Sequence, residues 1–267
     1  MAGNSQHDIP EAHVLVQTND GVCTITMTRL HVMNALSYPM MTGMQSALEK
    51  TAEDQRIHAV VLEGAGENFS SGADMSLLQE GLSAPDWVPI MKRLGRLIQT
   101  IREIPQPVVS KVRGVAVGGG ANLALSGDFV VATHNARFGQ IFVNLGVGLD
   151  AGGTYILPRL VGMVRARELA LLGEIISGEQ AASLGLIHKS VPEEDLDREV
   201  NALTSTLAGK SLQAMAVIKQ ALERSLNMSL KEVLDMETAQ QSILFQSNEH
   251  KEAMRGFLES HGKSKTS

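Results

Sequence analysis

The chain has 267 residues, enough for one large domain or a domain with a helical appendage, and 43% of them are hydrophobic, which supplies a sizeable core. Aromatics at 3% give no stacking platform for single strands, and 23 Lys and Arg against 29 Asp and Glu (net charge −6, no extended basic run) argue against a duplex-binding surface. The single cysteine, Cys23, excludes an internal disulfide and a Cys-x-x-Cys metal site and fits a reducing, cytoplasmic compartment.

Residues 1–12 are polar around Pro10, lack the apolar centre of a signal peptide, and read as a flexible tail. Residues 13–18 and 22–29 read as strands joined by Asn19-Asp20-Gly21, since Asp-Gly between alternating apolar runs marks a hairpin. Ser37 caps a helix running to about Asp54, with Met40, Met41, Met44 and Leu48 on one face. Residues 59–63 form a short buried strand closed by Gly64-Ala65-Gly66. Helical spacing of Ile90, Leu94, Leu97, Ile98 and Ile101 predicts a helix over 87–104, ended by Pro105 and Pro107. Next come a strand at 108–112, a short helix at 118–125 and a strand at 129–132. The stretch 115–126 is too short and Gly-rich for a membrane span. From Ala151 the pattern turns helical, with segments near 151–160, 165–172, 178–184, 193–208, 211–225, 229–246 and 248–260. The order predicts an α/β core over 13–200, a helical region over 201–260 and a tail over 261–267. Apolar faces on the terminal helices point to oligomerisation.

Two small-residue cradles stand at strand-to-helix junctions: Phe69-Ser70-Ser71-Gly72-Ala73-Asp74 and Gly114 to Asn122, with Gly118-Gly119-Gly120 at its centre. Such junctions leave backbone N–H groups unpaired, and two of them aimed at one oxygen make an oxyanion hole. Read alone, Gly72 permits a tight turn and Asp74 caps a helix. Three consecutive glycines entering a helix are entropically costly and fit a close backbone or ligand approach. The dinucleotide fingerprint fails, because Leu123 stands where its last glycine belongs.

Together the cradles resemble those of the crotonase, or enoyl-CoA hydratase/isomerase, superfamily. Asn34-Ala35-Leu36, Phe138-Gly139-Gln140, Gly152-Gly153-Thr154, Leu157-Pro158-Arg159 and Phe257 are similar to family elements in the same order, over residues 14–259. The resemblance implies a spiral of repeated β-β-α units with a C-terminal helical region, acting on acyl-CoA thioesters as a homotrimer or homohexamer. It implies no cofactor, because coenzyme A enters as part of the substrate; the eight histidines show no His-x-x-His pairing, so no metal is expected. Carried over by position, the Ala73 and Gly119 N–H groups hold the thioester oxygen. Ser71, Gly72, Asp74, Met75 and Ser76 lie toward coenzyme A, and Gly118 and Phe142 toward the acyl group. Neither nucleic acid nor membrane is expected as a partner.

The family's hydratases use two glutamates to split water; this chain has Asn122 and Phe142 at those places, and neither is a general base. Asn122 remains a candidate to orient water or a substrate oxygen. One acid stands nearby, Asp150, in Leu149-Asp150-Ala151-Gly152-Gly153. Alone it reads as a helix N-cap. By resemblance to the phenylacetate-pathway isomerases, which carry an aspartate at an Asp-x-Gly-Gly site, it is a proton shuttle, its affinity raised by an apolar wall. Glu80 and Asp86 read as loop acids near the acyl pocket, bordered by Leu77, Leu78, Trp87 and Met91. Arg96, Lys111 or Arg113 are candidates for coenzyme A phosphates or simply solvated. Three functions follow: an enoyl-CoA isomerase using Asp150, a hydratase of enoyl- or cyclic dienoyl-CoA using Asp150 and Asn122, and a non-catalytic acyl-CoA binder.

Overall fold

Asp20 and Gly21, both at positive φ, turn the predicted hairpin between β2 (Val14–Asn19) and β3 (Val22–Met27), as a two-residue turn of this hand requires. The computed structural model describes residues 5–9, 13–76 and 81–262. Residues Ser5–Ile9 pair antiparallel with β2 as β1, so the stretch expected as a tail contains a strand. Its polar sequence shows no apolar alternation.

From β3 the main sheet continues in parallel through β4 (Ala59–Gly64), β5 (Val108–Val112), β7 (Phe129–Thr133) and β10 (Lys189–Val191). Helices α1 (Tyr38–Glu53) and α2 (Ala84–Glu103) return the chain between strands. Alternate residues of β4 serve opposite faces. Val60 and Leu62 join Met40, Met44 and Leu48 of α1 and Leu97 and Ile101 of α2 in the larger core. Val61 turns the other way, to Val109, Val131, Val191 and the α6 (Leu196–Ala208) residues Leu196 and Val200. Both faces are thus covered, which accounts for the unbroken apolar run in β4. Because α6 buries Leu196 and Val200 on the sheet, the first compact unit extends to Ala208, eight residues past the predicted boundary.

A second sheet lies beyond the first: β6 (Val115–Val117), β8 (Arg137–Gly139) and β9 (Ile175–Ser177). Two isolated parallel bridges, Leu36–Ala73 and Ser70–Ala116, extend the same ladder backwards along the chain. Each turn of the spiral therefore lays a short extended segment beside the previous one, as the β-β-α reading expects. After β6 comes the short α3 (Gly119–Leu125), and after β8 a 3-10 turn (Ile141–Leu145). Helix α4 (Gly153–Leu172) breaks at Gly162 (φ 72°, ψ 166°), matching the two helices expected over 151–172. Between β9 and β10 lies α5 (Gly178–Ser183).

The second unit, Gly209–Ser267, holds α7 (Leu212–Ser225), α8 (Leu230–Leu244) and α9 (Asn248–Gly262). Ser211 and Ser229 cap α7 and α8, but Ile218, Leu222, Leu234 and Ile243 stay exposed. Among the described residues no helix is long and apolar enough to cross a membrane.

Candidate active site

Ser70 joins the two cradles. Its N–H donates to the Val115 carbonyl (2.9 Å), and the Val117 N–H donates back to the Ser70 carbonyl (3.2 Å). Its hydroxyl donates to the Asn34 carbonyl (2.8 Å) and accepts from the Gly72 N–H (3.2 Å). Backbones this close leave no room for side chains. A Cβ on Gly120 would lie 2.4 Å from the Ser70 carbonyl oxygen. Gly72 sits at φ +87°, where a Cβ would lie 2.7 Å from the Val117 oxygen and 3.2 Å from the Gly119 nitrogen. The Gly72–Ala73 peptide is thereby set against the start of α3. Among the described residues, neither the Ala73 N–H nor the Gly119 N–H has an acceptor. Both remain available to an oxygen entering from outside. Gly118 is different: its N–H is spent on the Gly139 carbonyl (2.8 Å), and its Cα faces Ile141 and the buried Phe142.

Asp150 lies beside Gly119, with Oδ1 3.6 Å from where a Cβ on that glycine would stand and Leu36 Cδ1 at 3.8 Å. Oδ1 is buried and accepts no hydrogen bond. The helix-cap reading fails: α4 is capped by Gly152 with no side-chain bond, and only the Asp150 carbonyl accepts from the Gly153 N–H (2.8 Å). Burial pushes the carboxyl up from 3.8 to about 6, because a low-dielectric wall disfavours the charged form. Ala151 (φ 47°) and Gly152 (φ 77°) then turn the chain in two left-handed steps, which aim Asp150 inward; for alanine that conformation is costly. Ile98 and Ile156 pack at Gly152.

Asn122 departs from the expected role. Its Nδ2 donates to the Asp150 carbonyl (2.8 Å), and its Oδ1 accepts from Gln140 Nε2 (2.9 Å). It is fully buried, and a Cβ on Gly153 would stand 2.5 Å from Nδ2. The side chain is enclosed and faces the main chain of Asp150, so it cannot orient a water. Asp74 departs too. Its carboxylate pairs with Arg29 Nη1 (2.6 Å) and accepts from the Ser76 N–H (3.1 Å) and hydroxyl (2.9 Å). Burial works against the charge, but the Ser76 and Arg29 hydrogen bonds outweigh it and hold the carboxyl below its usual range. It braces the segment after Ala73. The Ser71 hydroxyl is likewise spent on the Val32 carbonyl (3.0 Å); Met75 is 55% exposed.

Lys111 pairs with Glu63 and Asp197, and Arg113 with Asp197, so neither is available to phosphates. Arg96 is exposed on α2. Asp86 belongs to the first turn of α2 and accepts from the Ser83 N–H (3.0 Å), a capping role where a loop acid was expected. Leu77, Leu78 and Glu80 lie outside the described residues. Sequence reasoning missed Arg29 and the anchoring by Ser70: Arg29 has no local motif, and its partner is far along the chain. A groove of about 820 Å³ floored by Thr24, Val61, Glu63 and Lys111 shares no residue with this site.

The family model described as enoyl-CoA hydratase/isomerase matches residues 17–265. A Rhodobacter capsulatus protein named as a probable enoyl-CoA hydratase is 38% identical over 91% of this chain and 93% of its own. The 1,2-epoxyphenylacetyl-CoA isomerase of Escherichia coli is 34% identical over 92% of this chain and 95% of its own. The crystal structure of an enoyl-CoA hydratase from Bacillus anthracis superposes with a TM-score of 0.89 at 28% identity, covering 93% of this chain and 96% of that one.

Proposed function

This chain belongs to the enoyl-CoA hydratase/isomerase family, and from that premise we propose that it shifts the double bond of an enoyl-CoA, with Asp150 carrying the proton. The observation that supports this reading is a single carboxyl in an apolar wall, its Oδ1 without a partner, next to the free N–H of Gly119. The thioester oxygen lies between the Ala73 and Gly119 N–H groups. Each such donor stabilises the developing enolate by about 3 kcal/mol, which makes a carbon beside the carbonyl acidic enough for a carboxylate. Asp150 removes the proton, negative charge spreads from the thioester oxygen along the conjugated carbons, and the carboxylic acid returns the proton to a different carbon. No atom is gained or lost, and the carboxylate is regenerated. A site near pH 6 suits both halves of that exchange.

Hydration is the second reading, favoured by the name of the Rhodobacter capsulatus relative. It needs a second group to manage water, and Asn122 and Phe142 offer none: one amide is spent on protein partners and the other side chain is a buried ring. Incubating a trans-3-enoyl-CoA and, separately, a trans-2-enoyl-CoA in oxygen-18 water separates the two. Isomerisation converts the 3-enoyl to the 2-enoyl product without label; labelled hydroxyacyl product from the 2-enoyl, with the 3-enoyl unchanged, overturns the proposal. A pure binder would turn over neither substrate, and the free paired donors weigh against it. Coenzyme A runs past Ser71, Gly72, Met75 and Ser76, by position in the family. The exposed apolar side chains of α4 and of the second unit support assembly as a homotrimer or homohexamer.

A further inference from the structure

Resting on the reading of Asp150 as proton carrier, we propose that Gln140 is a positioning residue: through Asn122 it pins the main chain at Asp150 and so keeps the carboxyl beside Gly119 and out of water. The hydrogen bonds run in one direction only. Asn122 Nδ2 donates to the Asp150 carbonyl (2.8 Å), which obliges Asn122 Oδ1 to accept, and Gln140 Nε2 supplies that donor (2.9 Å). Gln140 Oε1 is buried with no partner, so among the described residues the bond to Asn122 is the one this amide makes. An unpaired buried oxygen is a standing cost that an apolar residue would avoid, which fits a residue retained for where it holds Asn122.

The pinning has work to oppose. Ala151 and Gly152 are both left-handed immediately after Asp150, and alanine relaxes from that conformation when nothing holds it. The Asp150 carbonyl takes two donors, Asn122 Nδ2 and the Gly153 N–H (2.8 Å). Gln140 also leads into the 3-10 turn that brings Ile141 and Phe142 to Gly118. One amide therefore links the wall of the acyl pocket to the backbone of the base.

No other charge is positioned to do this. Residues 119–125 and 141–145 contain no titratable side chain. Lys92, Arg93, Arg96, Arg102 and Glu103 of α2 and Arg159 of α4 do not displace the Asp150 carboxyl, for which burial is the sole cause. Letting water reach it is thus the way to move it.

The test uses the full chain with Gln140→Met, similar in length but without a donor, assayed on a trans-3-enoyl-CoA. The expected result is a roughly tenfold fall in kcat with KM within about twofold. The pH midpoint of Asp150, read by carbon-13 NMR of its carboxyl and assigned with Asp150→Asn, moves down by about one unit. Adding Gln140→Met to Asn122→Leu lowers kcat no further, since both cut the same chain. A purely structural Gln140 would lower Tm while kcat per folded molecule and the carboxyl midpoint stayed put, and that result overturns the proposal. If Gln140→Met does not fold, Gln140→Leu removes the donor without adding a charge, and the same outcomes decide. Full activity in Asp150→Asn would sink the proton-carrier reading, while the carboxyl midpoint in the Gln140 variants would still decide the positioning role.

Discussion

Asp150 trades stability for proton affinity. Below about pH 3 it is protonated in both folded and unfolded chains and costs nothing. As pH rises from the ordinary carboxylate value of 3.8 towards about 6, the unfolded chain releases its proton and the folded one resists, so stability falls through that window and then levels off. Two units correspond to about 3 kcal/mol. Asp150→Asn is therefore expected to be more stable than the parent by up to about 3 kcal/mol at pH 8, with the difference gone by about pH 3, measured by urea unfolding. A gain that ignores pH would mean the carboxyl is hydrated. The same variant should lose about a thousandfold in isomerase turnover. In the parent, kcat/KM should rise with pH through about 6 and then plateau, the signature of a base that must first be ionised.

At the scale of elements, the segments around the two cradles are braced by long-range polar ties. Asp74 and Arg29 are both largely buried, at 11% and 13% side-chain exposure. Asp74→Ala leaves the guanidinium enclosed with the Ala35 carbonyl (2.8 Å) as its remaining partner and should cost about 3–5 kcal/mol in denaturant unfolding. Replacing both residues by apolar ones should recover much of that loss. Because the Asp74 carboxyl is held low, its contribution is present above the unfolded carboxylate value and disappears as pH falls through the folded one. Acid unfolding of the parent should therefore be steeper than that of the double variant. Gly72→Ala meets the Val117 oxygen at 2.7 Å in a left-handed backbone, and soluble yield and turnover should both collapse. The glycines of the cradles and the isolated Asp150 were legible in sequence, because each is costly or conspicuous where it stands. So was the hairpin, fixed by two adjacent residues. The strands β6, β8 and β9 were not, since three residues are too few to show a period of two. Nor were the partners of Asn122 and Asp74, which folding brings from Gln140, Asp150 and Arg29. A side chain read without its partners shows its chemistry but not whether that chemistry is already spent, and this is why the sequence alone points Asn122 at water or a substrate oxygen and Asp74 at coenzyme A.

At the scale of the whole molecule, the spiral brings Ala73, Gly119 and Asp150 together from three distant segments, but it leaves apolar surface uncovered. Val143, Leu145 and Val147 flank the loop leading to Asp150, and Val164, Leu171 and Leu172 stand out from α4, the last two at 68% and 57% exposure. Assembly of the kind proposed above would bury these side chains. The Asn144 side chain donates to the Gly173 carbonyl (2.9 Å), so the loop before Asp150 is tied to the end of α4. Sedimentation equilibrium is expected to give three or six times the chain mass. Leu171→Asp should dissociate the assembly, make Tm depend on concentration, and lower turnover in parallel, because the loop that carries Asp150 loses the partner that holds it. A monomer that keeps full activity at micromolar concentration would separate the two, showing that the base is held by the Gln140–Asn122 bonds within one chain and that the apolar face serves some other contact.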